Sequence, residues 1–215
     1  MNSHPSLHGL YAITDTRLCP PESLLRQIEE ALRGGARIIQ YRDKSNDRHR
    51  RRMEAGALHR LCRQYGALLL INDDVELAKQ SGADGVHLGR EDAGLAFARA
   101  RLGANAVIGV SCYNCLESAH RACVAGADYA AFGRFFPSRS KPDAVRADPE
   151  LLRRAKTSFD LPLVAIGGIT PENGARLISA GADMLALIHG IFAQPDVEAA
   201  GRRINKLFKL EEKQT

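Results

Sequence analysis

Short apolar runs alternate with longer amphipathic stretches along almost the whole chain. The apolar runs predict strands, and the recurrence of apolar positions at helical spacing between them predicts helices. The predicted strands are Leu10–Thr14, Ile38–Tyr41, Ala67–Ile71, Gly85–Leu88, Ala106–Val110, Tyr129–Phe132, Leu163–Ile166 and Met184–Ile188. The clearest predicted helices are Leu24–Leu32, Met53–Tyr65, Leu116–Val124 and Asn173–Ile178. Strict alternation of strand and helix predicts a parallel sheet with helices packed on it.

A recurring junction supports this alternation. The segments Gly34-Gly35-Ala36, Gly82-Ala83-Asp84, Gly126-Ala127-Asp128 and Gly181-Ala182-Asp183 each follow a helix-like stretch and precede an apolar run. A glycine after a helix takes the left-handed cap conformation at little cost, so each junction is typical of a turn from helix to strand. Eight strand–helix units in 215 residues favour an α/β protein with a compact (β/α)8 TIM barrel. We expect one domain over residues 1–215, with tails near residues 1–9 and 210–215.

Charge and cysteine content narrow the functional class. The formal net charge of +5 suits an anionic partner such as nucleic acid, a membrane surface or a phosphorylated metabolite. The basic run Arg48–Arg52 has no interleaved aromatic residues, so we interpret it as a solvated helix start and expect no nucleic-acid partner. The five cysteines are odd in number, and no apolar run reaches the length of a membrane span. We therefore expect a cytoplasmic protein with no membrane partner.

Polar residues follow most of the predicted strands directly. Active sites of (β/α)8 barrels lie where the strands end, so these residues should meet at one rim. They are Arg42, Asp43 and Lys44 after strand 2, Asn72 and Asp73 after strand 3, Asp92 after strand 4, Ser111 after strand 5, the loop from Gly133 to Asp143 after strand 6, and Gly167 with Gly168 after strand 7. The chain has no Gly-x-Ser-x-Gly and no His-Glu-x-x-His motif. The polar residues at the rim therefore predict binding of a charged ligand. The absent motifs argue against an α/β-hydrolase with a serine nucleophile and against a zinc protease.

The glycine pair after strand 7 predicts an anion site. Gly167 and Gly168 allow a ligand to approach the backbone, and Thr170 with Pro171 is typical of a helix start. Free N–H groups at a helix start bind phosphate, and such barrels often place a phosphate site at this position. A tight structural turn is the alternative interpretation.

Two acidic residues on neighbouring strands predict a metal site. Asp73 and Asp92 follow strands 3 and 4, and carboxylates so placed could share a Mg²⁺ ion beside a substrate phosphate. Helix capping is the alternative for each of them, since Asp73 with Glu76 resembles a capping box. The neighbouring cations and the predicted phosphate site favour metal binding.

Two further motifs leave more than one interpretation open. The long loop after strand 6 carries hydroxyl groups and Lys141, which suit a phosphate ester or diphosphate, although an ordinary basic surface loop is the alternative. Cys112 and Cys115 form a Cys-x-x-Cys motif, a spacing found in zinc and redox sites. No second pair has matching spacing, so we favour coincidence.

Taken in order, these segments resemble the thiamine phosphate synthase (thiamine-phosphate pyrophosphorylase) family. The resemblance runs from Leu10 to Phe192, and its most specific segments are Gln40–Lys44, Ile71–Asp73, Gly82–Asp92, Ile108–Ser111, Pro137–Asp143 and Ala165–Asn173. It implies a transferase that joins 4-amino-2-methyl-5-(diphosphooxymethyl)pyrimidine to a thiazole phosphate, or to its carboxylated form. The implied products are thiamine monophosphate and diphosphate.

The resemblance also implies roles for individual residues. The pyrimidine diphosphate would be bound by Gln40, Tyr41, Arg42, Asp43, Lys44, Asn72, Ser111 and Lys141, and the thiazole phosphate by Ser138, Arg139, Ser140, Gly168, Ile188 and His189. Mg²⁺ would be held by Asp73 and Asp92. In the family the bond to diphosphate breaks first and leaves a pyrimidine carbocation, so no protein nucleophile is required. The implied catalytic residues, which stabilise the transition state and the leaving diphosphate, are Arg42, Lys44, Ser111 and Lys141.

Three rival interpretations remain at this stage. A thiazole tautomerase of the same fold would not need the pyrimidine diphosphate and metal residues, which this chain keeps. A non-catalytic nucleic-acid-binding protein would use Arg48–Arg52, and a redox protein would use Cys112 and Cys115. The chain also departs from the family pattern at three places. They are His189, where serine is more usual, Cys112-Tyr113, where small residues and a histidine are often seen, and Arg134, where proline is usual.

Overall fold

Eight parallel strands close into a barrel in the computed structural model, which describes residues 7–89, 94–137 and 145–211. Each strand pairs with the next along the chain, and the last pairs with the first. The strands are β1 Gly9–Ile13, β2 Ile38–Tyr41, β3 Leu68–Asn72, β4 Gly85–Leu88, β5 Val107–Tyr113, β6 Tyr129–Gly133, β7 Leu163–Ile166 and β8 Met184–Leu187. The helices within the described residues are α1 Pro21–Arg33, α2 Arg48–Gln64, α3 Val75–Ser81, α4 Gly94–Leu102, α5 Leu116–Val124, α6 Glu150–Ser158, α7 Ala175–Ile178, α8 His189–Phe192 and α9 Val197–Glu211. The predicted (β/α)8 barrel is confirmed.

The predicted strands agree with the observed ones, with small differences at the ends. Strands β2, β4 and β7 have the predicted bounds. Strand β5 runs to Tyr113, three residues beyond the predicted end, because its polar end keeps pairing with β6 through an irregular register between Ser111 and Tyr113. Gly9 belongs to β1 and not to the predicted tail.

Side chains alternate between two separate apolar layers. Inward residues such as Tyr11, Ile38 and Tyr129 pack together inside the barrel. Outward residues such as Ile39 and Tyr41 pack between the strands and the helices. This alternation follows from the pleat of a strand, and it decides which polar residues at the strand ends reach the barrel interior.

The Gly-Ala-Asp junctions have a shared structural role. Gly82, Gly126 and Gly181 have positive φ angles of 72°, 86° and 107°, as predicted for left-handed turns after helices. The aspartate that follows then accepts a 2.7 Å hydrogen bond from a backbone N–H of the preceding strand. The three pairs are Asp84 with Leu69, Asp128 with Ile108, and Asp183 with Leu163. Each aspartate thus ties two adjacent strands together at the end of the barrel where the strands begin.

Replacing Asp128 by alanine is expected to destabilise the barrel. The substitution leaves the Ile108 N–H without its side-chain acceptor and removes the 2.7 Å ion pair of Asp128 with Arg99. Loss of a partner for a largely buried donor costs about 1–3 kcal/mol, and equilibrium unfolding in urea measures it. The matched control is Glu117→Ala, which breaks an exposed pair with Arg121 and should leave the unfolding midpoint almost unchanged. Equal stability of the two variants would contradict a structural role for Asp128.

Candidate active site

A cleft of about 590 Å³ opens at the rim where the strands end. It collects side chains and backbone from positions that are far apart in the sequence. The residues of the predicted site that line it are Gln40, Arg42, Lys44, Asn72, Asp73, Ser111, Gly168, Ile188 and His189. The structure therefore brings together most of the predicted site residues that it describes.

The end of β2 supplies alternate residues to the cleft. Gln40 lies inside the barrel, and Arg42 and Lys44 continue the same direction beyond the strand. The backbone of Arg42 is fixed by Thr14, whose hydroxyl oxygen accepts a 2.8 Å hydrogen bond from the Arg42 N–H. Two cations and an amide therefore face the same space, an arrangement suited to an anionic ligand.

The two intervening residues, Tyr41 and Asp43, lie on the other side of β2 and do not line the cleft. The Tyr41 ring packs between the strands and helices, and its hydroxyl donates a 2.6 Å hydrogen bond to Glu54. Asp43 accepts from the Ser45 amide at 2.7 Å and pairs with Arg50 at 2.7 Å. Their side chains hold α2 against the barrel, so the structure does not place them in direct contact with a ligand in the cleft.

The Asp43 carboxylate is held in its charged form. Burial would raise the pKa of Asp43, but the hydrogen bond from the Ser45 amide and the charge of Arg50 outweigh burial and lower that pKa below its usual value. Burial and the hydrogen bond to Glu54 raise the pKa of the Tyr41 phenol. Asp43 and Tyr41 thus connect the end of β2 to α2 on the side of the strand away from the cleft.

Asp73 has a backbone conformation that is unusual for an aspartate. Its φ angle is +62°, in the left-handed region that residues other than glycine adopt only occasionally, most often as asparagine or aspartate. Its carboxylate is exposed in the cleft and accepts a 2.6 Å hydrogen bond from the Asn72 amide. Helix α3 is instead capped by Asp74, whose carboxylate accepts from the Leu77 N–H. The capping alternative for Asp73 is therefore wrong, and its carboxylate remains available at the rim.

The glycine pair after β7 forms a tight turn with no room for side chains. Gly167 and Gly168 have φ angles of 104° and 63°. A Cβ atom on Gly168 would lie 2.3 Å from the carbonyl oxygen of Pro137, and one on Gly167 would lie 2.3 Å from the Cβ of Arg134. The loops after β6 and β7 therefore touch through backbone, which brings both loops to the cleft.

The predicted helix start at Thr170 and Pro171 is wrong. Helix α7 begins only at Ala175, and residues 171–174 form turns. Residues 170–174 form a single isolated turn, in which the Thr170 carbonyl accepts from the Gly174 N–H at 3.0 Å. The Asn173 side-chain oxygen accepts from the Thr170 N–H at 2.8 Å, as in a capping box, and its amide donates to the Gly168 carbonyl. The start signals at Thr170 therefore produce one turn, and the regular helix begins after it.

The backbone after β8 completes this side of the cleft. Ile188 and His189 both line it, and α8 begins at His189. The Gln194 amide donates a 3.1 Å hydrogen bond to the carbonyl of His189, which fixes the short helix. The backbone at Gly168, Ile188 and His189 thus surrounds one end of the cleft.

Two polar side chains on the inner face of the barrel, Tyr11 on β1 and His87 on β4, line the cleft and were not among the predicted site residues. His87 interrupts the apolar run of β4, and this single polar residue on an inward position was a usable signal. Tyr11 gave no such signal, because a tyrosine in an apolar strand is equally typical of a core.

Several predicted site residues lie outside the described residues. They are Asp92, Ser138, Arg139, Ser140 and Lys141. Their assigned roles remain predictions.

The two motifs linked to rival functions have structural positions of their own. Arg48 begins α2, as predicted for the basic run, while Arg50 and Arg51 pair with Asp43 and Asp74. The Cys112 thiol is buried in the layer between the barrel and the helices. Among the described residues, no helix has the length and apolar character needed to cross a membrane.

A closed parallel barrel with a polar, cation-bearing cleft at the ends of its strands defines a (β/α)8-barrel enzyme. Residues 10–191 match the family model described as thiamine monophosphate synthase. The chain is 55% identical over 205 residues to the thiamine-phosphate synthase of Acidithiobacillus ferrooxidans, covering 94% of each sequence. It is 52% identical over 203 residues to the thiamine-phosphate synthase of Nitrosococcus oceani, again covering 94% of each. The chain belongs to the thiamine monophosphate synthase family.

A solved structure agrees with this membership. The thiamine phosphate pyrophosphorylase of Pyrococcus furiosus superposes with a TM-score of 0.87 at 36% identity, covering 95% of this chain and 97% of that one. The (S)-3-O-geranylgeranylglyceryl phosphate synthase of Thermoplasma acidophilum shares 17% identity at a TM-score of 0.69. The latter likeness concerns the fold alone.

Proposed function

We propose that this chain is a transferase that joins 4-amino-2-methyl-5-(diphosphooxymethyl)pyrimidine to a thiazole phosphate and forms thiamine monophosphate. Family membership across most of the chain carries the proposal. The cleft supports it, because residues from separate strand ends place cations, amides and a carboxylate around one space. A thiazole tautomerase would have no use for this set beside its single phosphate ester.

The diphosphate half of the pyrimidine substrate fits the side of the cleft formed by β2, β3 and β5. Arg42 and Lys44 would pair with its phosphate oxygens, and Asn72 and Ser111 would donate hydrogen bonds to it. Gln40 lies deeper in the barrel, where the pyrimidine ring would reach it. Lys141 is expected to add a third cation.

A Mg²⁺ ion fits the chemistry of Asp73. The carboxylate is exposed, it lines the cleft, and it does not cap α3, which Asp74 caps instead. Oxygen ligands of this kind, together with substrate phosphates, are what Mg²⁺ prefers. We propose that Asp73 and Asp92 hold the ion, which when bound would supply positive charge beside the diphosphate oxygens.

The thiazole phosphate fits the opposite side of the cleft. The backbone at Gly168, Ile188 and His189 would bind its phosphate, as oriented amides bind anions without a charged side chain. Backbone binding tolerates His189 at a position where the family more often has serine. Ser138, Arg139 and Ser140 are expected to complete this subsite.

The proposed reaction needs positioning and charge stabilisation more than a nucleophile. The bond from the pyrimidine methylene carbon to the diphosphate oxygen breaks, and the electron pair leaves with the diphosphate. Arg42, Lys44 and Lys141 stabilise the negative charge that develops on that leaving group. The thiazole nitrogen, held alongside by the glycine turn, then donates its electron pair to the carbocation and forms the new C–N bond.

We further propose that the protein is cytoplasmic and acts on small molecules alone. The five cysteines are odd in number and spread along the chain, which is more typical of a reducing compartment than of a disulfide scaffold. The pairing of Arg50 and Arg51 with carboxylates reduces the charge that the basic run offers to a nucleic acid.

An assay of product formation tests the proposed function. The protein is incubated with the pyrimidine diphosphate, a thiazole phosphate and Mg²⁺, and thiamine monophosphate and diphosphate are measured. We expect equimolar products, and none when either substrate or the metal is omitted. The carboxylated thiazole phosphate is tested in a parallel reaction. Isomerisation of a thiazole phosphate in the absence of the pyrimidine would instead identify a tautomerase, and no turnover would overturn the proposal.

A further inference from the structure

We propose that Tyr11, Tyr129 and His87 form a directional hydrogen-bond chain that links Gln40 to Ser111 and makes the cleft select an aminopyrimidine over its oxo analogue. These three would be positioning residues that act through Gln40 and Ser111. The inference rests on the proposed function for the identity of the ligand. The direction of the chain is a property of the protein itself.

The hydrogen-bond chain crosses the barrel interior through four consecutive contacts. The Gln40 amide donates to the Tyr11 hydroxyl at 2.5 Å, and the Tyr11 and Tyr129 hydroxyl oxygens lie 2.9 Å apart. The Tyr129 hydroxyl lies 2.9 Å from Nδ1 of His87, and Nε2 of His87 lies 2.8 Å from the Ser111 hydroxyl. Gln40 and Ser111 at its two ends both line the cleft.

The two tyrosines are built into the core of the barrel. Tyr11 is 1% exposed and Tyr129 is fully buried. Gly109 makes room for the Tyr129 ring, because a Cβ atom at position 109 would lie 1.8 Å from its Cζ. Burial raises the pKa of both phenols, so each hydroxyl keeps its single proton at neutral pH.

A single proton on each hydroxyl makes the bonds depend on one another. Because Gln40 donates to Tyr11, the arrangement that leaves no buried hydroxyl proton without an acceptor directs the Tyr11 proton to Tyr129 and the Tyr129 proton to Nδ1 of a neutral His87. The Nδ1 atom then has to be the acceptor nitrogen, so the imidazole proton lies on Nε2 and is donated to Ser111. The Ser111 hydroxyl receives this bond and keeps its own proton for a ligand.

The two ends of the chain therefore have opposite hydrogen-bonding character in the cleft. The Gln40 side-chain nitrogen donates to Tyr11, so its carbonyl oxygen can accept a hydrogen bond from a ligand. The Ser111 hydroxyl, in contrast, donates its proton to a ligand. An aminopyrimidine diphosphate matches both ends, since its amino group donates and its phosphate oxygens only accept. An oxo group would require the Gln40 amide to turn over. That change would reverse every bond of the chain and leave Ser111 as an acceptor facing an anion.

The tautomer of His87 tests the chain without any ligand. In protein labelled with ¹⁵N-histidine, with His87 assigned by comparison with His87→Asn, we expect the Nε2–H tautomer. Tyr129→Phe removes the donor to Nδ1 and should shift the ring toward a mixture of tautomers. Tyr65→Phe is the matched control, since it removes a tyrosine hydroxyl that bonds to Glu29 on the surface, and it should leave the His87 signals unchanged. An Nδ1–H tautomer in the unaltered protein would overturn the proposed direction.

Binding of two diphosphates tests the selectivity. Dissociation constants are measured for the 4-amino and 4-oxo pyrimidine diphosphates in the absence of the thiazole, so that differences in chemical reactivity do not enter. We expect the preference for the amino compound to fall about tenfold in Tyr129→Phe, which corresponds to the net value of about one hydrogen bond. Tyr11→Phe removes a different hydroxyl of the hydrogen-bond chain and should lower the preference for the amino compound by the same factor. It provides an independent test if Tyr129→Phe fails to fold. An unchanged ratio in a folded variant overturns the inference, whereas no binding of the amino compound to the unaltered protein would contradict the proposed function.

Discussion

Replacing Arg42 by alanine is expected to lower kcat/KM for thiamine monophosphate formation by about 10²–10³-fold. This is the usual effect of removing one preorganised group that stabilises charge developing in the transition state. The Arg42 backbone is fixed by Thr14, and its side chain lines the cleft. The guanidinium would pair with the diphosphate in the bound substrate. It would pair more strongly once the C–O bond breaks, because the leaving diphosphate then carries more negative charge. We therefore expect a fall in kcat as well as a rise in the KM for the pyrimidine diphosphate, both measured by steady-state kinetics.

Two further variants separate charge from geometry. Arg52→Ala removes an exposed arginine of the basic run and should leave both constants unchanged. Arg42→Lys keeps the charge and loses the planar fork, so it should recover part of the activity lost in the alanine variant. If Arg42→Ala and Arg52→Ala were equally active, Arg42 would have no part in the site.

The alternation of side chains explains how much of β2 could be predicted. The segment Gln40–Lys44 was assigned to the ligand as a whole on the basis of a resemblance, and a resemblance does not distinguish the two faces of a strand. The pleat does distinguish them, since residues two apart share a face. Gln40, Arg42 and Lys44 face the cleft, while Tyr41 and Asp43 support α2. The distinction was available from the period of the strand alone.

Other parts of the site depend on contacts that no local pattern contains. The Tyr11 and Tyr129 hydroxyls meet across 118 residues of sequence, and only closure of the barrel brings them together. The start of α7 was placed too early because the start signals at Thr170 and Pro171 form one isolated turn, closed by the bond from the Gly174 N–H to the Thr170 carbonyl, and the regular helix begins only at Ala175. The barrel itself was predictable because each of its units repeats the same local signals.

Replacing Asp73 by asparagine is expected to raise the Mg²⁺ concentration for half-maximal activity by at least about tenfold, since even outer partners of a metal ligand change metal affinity by about 10–100-fold. Asparagine suits the test because it tolerates the left-handed backbone of position 73, where φ is +62°, and it keeps nearly the same shape. The substitution removes the negative charge with little added strain. Activity is measured against Mg²⁺ concentration at saturating substrates, and thermal unfolding checks that the barrel is intact.

The neighbouring aspartate provides the matched control for this measurement. Asp74→Asn removes one negative charge a single residue away, and asparagine still caps α3 as Asp74 does. It loses the 2.9 Å pair with Arg51, so a small fall in stability is expected. Its Mg²⁺ dependence should match that of the unaltered protein. If both variants shifted the Mg²⁺ dependence equally, the effect would come from the overall field of the rim rather than from ligation by Asp73. If neither did, the metal would be held without Asp73, because Asp73 and not Asp74 supplies its carboxylate to the cleft.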